Sequence, residues 1–183
     1  MKKQMICITG NVSSGKSATA KEIANALSWK LYKASLSFRE KARELNMNIV
    51  DFCKYVEENP EIDKSIELKT KEIAEDVDGI VIDARLGFYV VKDAFKVYMT
   101  CDENVAAARL LNCSRGKEEE YISKEEALEA IRNREQSERN RYLKLYGVDI
   151  QDVSQYDFVI DTTHITVHEA AEKIIEAYRV WEG

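Results

Sequence analysis

Apolar residues in this chain follow two rhythms. Short unbroken runs at Met5-Ile6-Cys7-Ile8, Leu31-Tyr32, Ile80-Val81-Ile82, Val97-Tyr98-Met99 and Phe158-Val159-Ile160 predict strands. They lack strict alternation, as strands covered on both faces do. Between them the spacing lengthens to that of a helix. Ala20, Ile23, Ala24 and Leu27 share one face, a helical stretch runs from about Ser37 to Leu45, and further helices continue through about Asp76. Helical patterns also cover Asp102 to about Cys113 and Ser123 to about Tyr146, and a last helix sets Val167, Ala171, Ile174, Ile175 and Tyr178 on one side. Strands alternating with helices imply an α/β fold with a mostly parallel sheet wrapped on both faces. Ligands of such sheets sit beyond the carboxyl ends of the strands. Gly10, Asp83, Arg85 and the run Asp161-Thr162-Thr163 stand at such ends.

The 183 residues suit one domain, and no Pro/Gly/Ser-rich linker divides them. A composition of 45% hydrophobic and 33% charged residues is globular, and no apolar run approaches the roughly 20 residues of a membrane span. The opening Met1-Lys2-Lys3-Gln4 enters a strand at once, leaving too short a stretch for a secretory signal, so a cytoplasmic, membrane-free protein is expected. A net charge of −6 argues against a nucleic-acid polymer as partner. Cys7, Cys53, Cys101 and Cys113 form no C-x-x-C pair and are read as reduced structural thiols. His164 and His168 are read as surface or capping residues, with a helix start between them. Glu118-Glu119-Glu120 is read as a solvated turn.

One motif changes the picture. Gly10-Asn11-Val12-Ser13-Ser14-Gly15-Lys16-Ser17 fits the phosphate-loop pattern G-x-x-x-x-G-K-[ST], with a strand leading in and a helix leading out. The glycines let backbone N–H groups turn toward an anion, the new helix points its positive end at it, and Lys16 reaches the outer phosphates of ATP. Ser17 offers a hydroxyl to Mg²⁺. Asp83, ending an Ile-Val-Ile run, resembles the acidic residue that steers magnesium through water, though a structural carboxylate fits nearly as well.

Phosphoryl transfer asks mainly for alignment and charge neutralisation. Arg39, just past the second strand, and Arg85, two residues beyond Asp83, are candidates for a second anion site. Arg132, Arg134, Arg139 and Arg141 crowd one later helix, where Arg134, Glu138 and Arg141 share a face by their i, i+4, i+7 spacing. Guanidinium forks suit phosphate oxygens, yet spacing alone favours an exposed helix laced by Arg–Glu pairs. Residues about 112–124, with Arg115, Gly116 and Lys117, read as a flap whose closure excludes water. Arg109, one turn earlier, is placed to contact the transferring group. A GTPase is disfavoured: no N-K-x-D occurs, and Asp76-Val77-Asp78-Gly79 precedes its strand, which makes it a turn. A kinase of another small acceptor and a non-catalytic nucleotide binder remain as alternatives.

With these residues in view, the chain resembles the cytidylate kinases, in particular the short archaeal-type and cytidylate-kinase-like proteins. The similarity runs nearly end to end. It is carried by Phe38-Arg39-Glu40, by Tyr55 to Lys64, and most specifically by Arg134 to Tyr142 continuing through Tyr146 to Ile150 and Tyr156 to Thr162. The resemblance implies a three-layer α/β P-loop fold, with a five-stranded parallel sheet, a helical monophosphate-binding insert at about 36–76 and a lid at about 112–124. It implies ATP and a nucleoside monophosphate as partners, Mg²⁺ as cofactor, and CMP or dCMP going to the diphosphate in a monomer or small homo-oligomer. Lys16, Arg109 and Arg134 are then the expected catalytic residues. Arg39 would hold the acceptor phosphate, Arg85 would lie beside the acceptor, Arg134 and Arg141 would bind phosphate or ribose, and Glu138 would contact the nucleoside. The resemblance thus reverses the preference for an exposed helix. The family commonly has Gly-Arg where this chain has Ala84-Arg85, and a glycine within the stretch matching Lys33 to Ser37.

Overall fold

A computed structural model of the chain describes residues 3–112 and 120–183. Five parallel strands form one sheet: β1 (Met5–Gly10), β2 (Lys30–Lys33), β3 (Ile80–Asp83), β4 (Phe95–Thr100) and β5 (Phe158–Asp161). Their order is β2-β3-β1-β4-β5, so β1 is central, in register with Val81 at Ile6 on one side and Val97 at Ile8 on the other. The order reverses beside β1, which opens a crevice at its carboxyl end.

β1 shows why its sequence reads as a continuous apolar run. Ile6 and Ile8 point to one face, where they pack with Val97, with Ile23 of α1 (Lys16–Leu27) and with Ile174 of α8 (Val167–Glu182). Met5 and Cys7 point to the other, against Ile80, Ile82 and Ile66 of α4 (Glu61–Asp76). Both faces are covered, so Met5 to Ile8 are all apolar, and the one hydroxyl that follows, Thr9, is buried and donates to the Ala84 carbonyl at 3.0 Å.

Between β2 and β3 run α2 (Ala34–Glu44), α3 (Ile49–Glu58) and α4, with a small core of their own around Ala42, Ile49, Phe52 and Val56. The helical stretch expected from Ser37 begins three residues sooner, directly off β2, because Ala34 and Phe38 bury against the sheet and α4. A one-turn helix, α5 (Gly87–Val90), follows β3, and α6 (Glu103–Leu111) packs on α7 (Lys124–Tyr146) through Ala106, Ala107, Leu110, Ala127 and Ile131.

The helix ends agree with their local chemistry. Asn48, Asp102 and Ser123 each accept a backbone N–H as N-caps, and Thr166 with Glu169 forms a full capping box that starts α8 between the two histidines. His168 is exposed beside Glu22 and Glu172. Cys7, Cys53 and Cys101 are free thiols, while Cys113, Arg115, Gly116, Lys117, Glu118 and Glu119, and with them most of the expected flap, lie outside the described residues. No helix among the described residues is long and apolar enough to cross a membrane.

Candidate active site

The loop from Gly10 to Gly15 is built by close approach of backbones. Gly10 has φ 142°, and a Cβ there would stand 2.1 Å from the carbonyl oxygen of Met99, so no side chain fits. Asn11 N–H donates to that same Met99 carbonyl at 2.9 Å, and Ser13 and Gly15 take positive φ. α1 begins at Gly15 with no side-chain cap, in contrast to α3, α6, α7 and α8, leaving its first N–H groups directed at the crevice. The loop is braced from behind. Thr162 Oγ1 donates to the Ser14 carbonyl at 2.8 Å, and Glu135 Oε1 accepts from Val12 N–H at 2.8 Å and from Asn11 Nδ2 at 3.2 Å.

A cavity of about 510 Å³ opens from this loop and extends between the sheet and helices α2, α4 and α7. Lys16 lies at one end, its ammonium turned back to the Asn11 carbonyl and within 3.4 Å of Ser14 Oγ. Burial and the neighbouring Arg85 push its pKa well below the usual lysine range. Negative phosphate oxygens beside it would act in the opposite sense. Ser17 Oγ donates to Asp83 Oδ2 at 2.5 Å, bringing together the hydroxyl and carboxylate that the sequence singled out.

Arg39 and Arg43 of α2 also line the cavity. Arg85 donates to the Gly10 carbonyl and its Nε lies 2.9 Å from Glu138 Oε2. Arg134 Nε reaches Glu138 Oε1 at 3.1 Å. Burial opposes charge on Glu138, but Arg85, Arg134 and Arg141 outweigh it and hold the carboxyl below the usual range. Arg141 is 3% exposed, bonds Asp63 Oδ2 at 2.8 Å and Ser137 Oγ at 2.9 Å, and sits 5.9 Å over the Phe38 ring. Burial lifts the Asp63 carboxyl, and Arg141 opposes that rise.

The exposed Arg–Glu helix that spacing alone favours is therefore not what forms. Arg134, Glu138 and Arg141 are all under 9% exposed, facing the cavity. The exposed arginine on α7 is Arg132, which pairs with Glu103 of α6 at 2.6 Å, and Arg139 pairs with Asp149. Arg109 lines the cavity too, with Nη2 donating to the Thr162 carbonyl at 2.7 Å, a contact that ties α6 to the end of β5. Ala84 lies buried in the cavity wall.

Sequence reasoning missed Glu135, Arg43, Asp63 and Glu67. The signal for the last two is present: Asp63, Ile66, Glu67, Thr70 and Ala74 mark the buried face of α4 by their spacing, so two carboxyls fall on an apolar stripe. Among the described residues no three His, Cys, Asp or Glu gather as a protein-only metal site.

The family model described as the cytidylate kinase-like family matches residues 5–164. A cytidylate kinase from Thermoplasma volcanium is 35% identical over 174 residues, covering 93% of this chain and 88% of that protein. Among solved structures, a shikimate kinase from Bacteroides thetaiotaomicron superposes with a TM-score of 0.65 at 13% identity, over 96% of this chain and 98% of that one. A deoxyadenosine kinase from M. mycoides with bound dATP superposes with a TM-score of 0.61 at 16% identity, over 96% and 99%. At such identities these two show a shared fold, that of α/β P-loop kinases.

Proposed function

The chain belongs to the cytidylate kinase-like family of phosphotransferases, and from that premise we propose that it moves the γ-phosphoryl group of ATP to CMP or dCMP, giving ADP and the diphosphate. The observation that carries the reading is one cavity lined both by the phosphate loop with Lys16 and by a set of further arginines, Arg39 and Arg43 of α2 and Arg85 beside the loop. An uncharged hydroxylated metabolite needs no such second set. A phosphate acceptor does, and it is already an anionic nucleophile, so positioning substitutes for a general base.

In this reading the uncapped start of α1 and the loop N–H groups hold the β- and γ-phosphates, and Lys16 neutralises charge that spreads onto the equatorial oxygens. Ser17 and Asp83, both oxygen donors already in contact, suit a hard cation that keeps several waters, and they would hold Mg²⁺. When bound, that ion supplies charge neutralisation on the β- and γ-oxygens. Arg39 and Arg85 bind the acceptor phosphate, and Arg134 reaches the transferring group. Glu138, kept ionised by three arginines, accepts from ribose or base donors, while Arg141 fixes the acceptor side of α7. Arg109, tied to the Thr162 carbonyl, sits where α6 meets the loop and takes up charge on the transferring group. The protein works with soluble substrates, as a monomer or small homo-oligomer in the cytoplasm.

The test is ADP formation from ATP and Mg²⁺ with CMP, dCMP, UMP, AMP, GMP or dTMP, against a control without acceptor. Stimulation by CMP or dCMP well above the others supports the reading. A rate that no monophosphate raises sends the acceptor search elsewhere.

A further inference from the structure

We propose that Glu67 is the base-reading residue of the acceptor site, its carboxyl meeting the N3 and exocyclic amino edge of a cytosine ring. The inference rests on the nucleoside monophosphate reading above and extends it to a residue outside the phosphate- and ribose-facing set.

Glu67 stands on the inward face of α4, one turn after Asp63. It is 5% exposed, it lines the cavity, and its Oε2 has no hydrogen-bond partner. The two carboxyls contrast. Asp63 is answered by Arg141 at 2.8 Å, whereas Glu67 is left open to the cavity among Ile66, Phe38 and Tyr142. A buried polar atom without a partner is destabilising, a cost that a structural role at this position would not explain. A cavity that presents an unanswered buried hydrogen-bonding group beside apolar and aromatic side chains is the form a base-recognition pocket takes.

The chemistry of the group fits that edge. Burial, reinforced by the charge of Asp63, pushes the Glu67 carboxyl up to about 8, so it is a neutral acid at physiological pH. The groups facing it from other elements are Cys7 of β1, Tyr32 of β2, and Tyr142 and Tyr146 of α7, each raised by burial and uncharged at that pH. A carboxylic acid donates through its O–H and accepts through its carbonyl. Cytosine presents the complement, an acceptor at N3 and a donor at the amino group. An ionised carboxylate would instead oppose the N3 lone pair. Glutamine keeps one donor and one acceptor in nearly the same places without titrating.

The experiment is the KM for CMP and for ATP across pH 6 to 9.5, in wild type, Glu67→Gln and Glu67→Leu. In the wild type the KM for CMP should climb about tenfold per pH unit beyond the titration of Glu67. Glu67→Gln should flatten that rise while staying within a few-fold of wild type at pH 7. Glu67→Leu should raise the KM for CMP at least about tenfold at pH 7 with the KM for ATP unchanged, since a purely structural residue would not separate the two substrates. CMP turnover with identical pH profiles in wild type and Glu67→Gln, or an unchanged KM for CMP in Glu67→Leu, would overturn the inference and leave the kinase reading standing. Absence of turnover with any monophosphate in the wild type would overturn both.

Discussion

At the scale of single residues, the site separates groups that the sequence makes look alike. Arg132 and Arg141 lie on the same helix, yet one is exposed against Glu103 and the other is buried against Asp63. Removing one partner of a buried pair strands the other charge, so Asp63→Ala should destabilise the fold by about 3–5 kcal/mol in urea unfolding. Arg132→Ala should leave the unfolding midpoint nearly in place, because an exposed pair adds little. Lys16→Ala should lower kcat by at least about 100-fold while the melting curve stays close to wild type; near-normal turnover would remove the phosphate-loop mechanism. The loop was legible from eight consecutive residues because its chemistry is local. Glu67 and Asp63 were not singled out, since their meaning depends on α4 turning that face to the cavity and on Arg141 arriving from 78 residues away.

Elements were read well where their signals were local. The five apolar runs became the five strands, and Ser123 and the spacing of the last helix placed α7 and α8 within a residue or two. What the pattern could not supply is which face of α7 is buried. Its apolar residues are sparse, so its arginines read as a solvated face until α3, α4 and the sheet close around them. The resemblance to cytidylate kinases, not the periodicity, pointed to the buried alternative. Two predictions belong here. Thr166→Ala, which breaks the capping box of α8 at a residue that does not line the cavity, should cost about 1 kcal/mol with kcat/KM unchanged. Glu135→Ala releases Val12 N–H and Asn11 from α7, and should raise the KM for ATP several-fold with little effect on the KM for the acceptor. An equal rise in both would mean that α7 does not brace the loop.

For the whole molecule, the buried acid of α4 links acceptor recognition to stability. The folded state holds a proton on Glu67 up to about pH 8, whereas the unfolded chain releases it near 4.5. Folding is therefore favoured at low pH by this group. The advantage is full below 4.5 and is lost as pH rises through about 8, at up to about 1.4 kcal/mol per pH unit. Unfolding midpoints at pH 6 and pH 8.5 should fall with pH in wild type and fall less in Glu67→Gln; parallel falls would show that the carboxyl titrates normally. The central claim concerns the reaction itself, and its most direct measurement is the chromatographic yield of both products from equimolar ATP and CMP with Mg²⁺. CDP and ADP should appear one for one. ADP without CDP, or neither product, would contradict it.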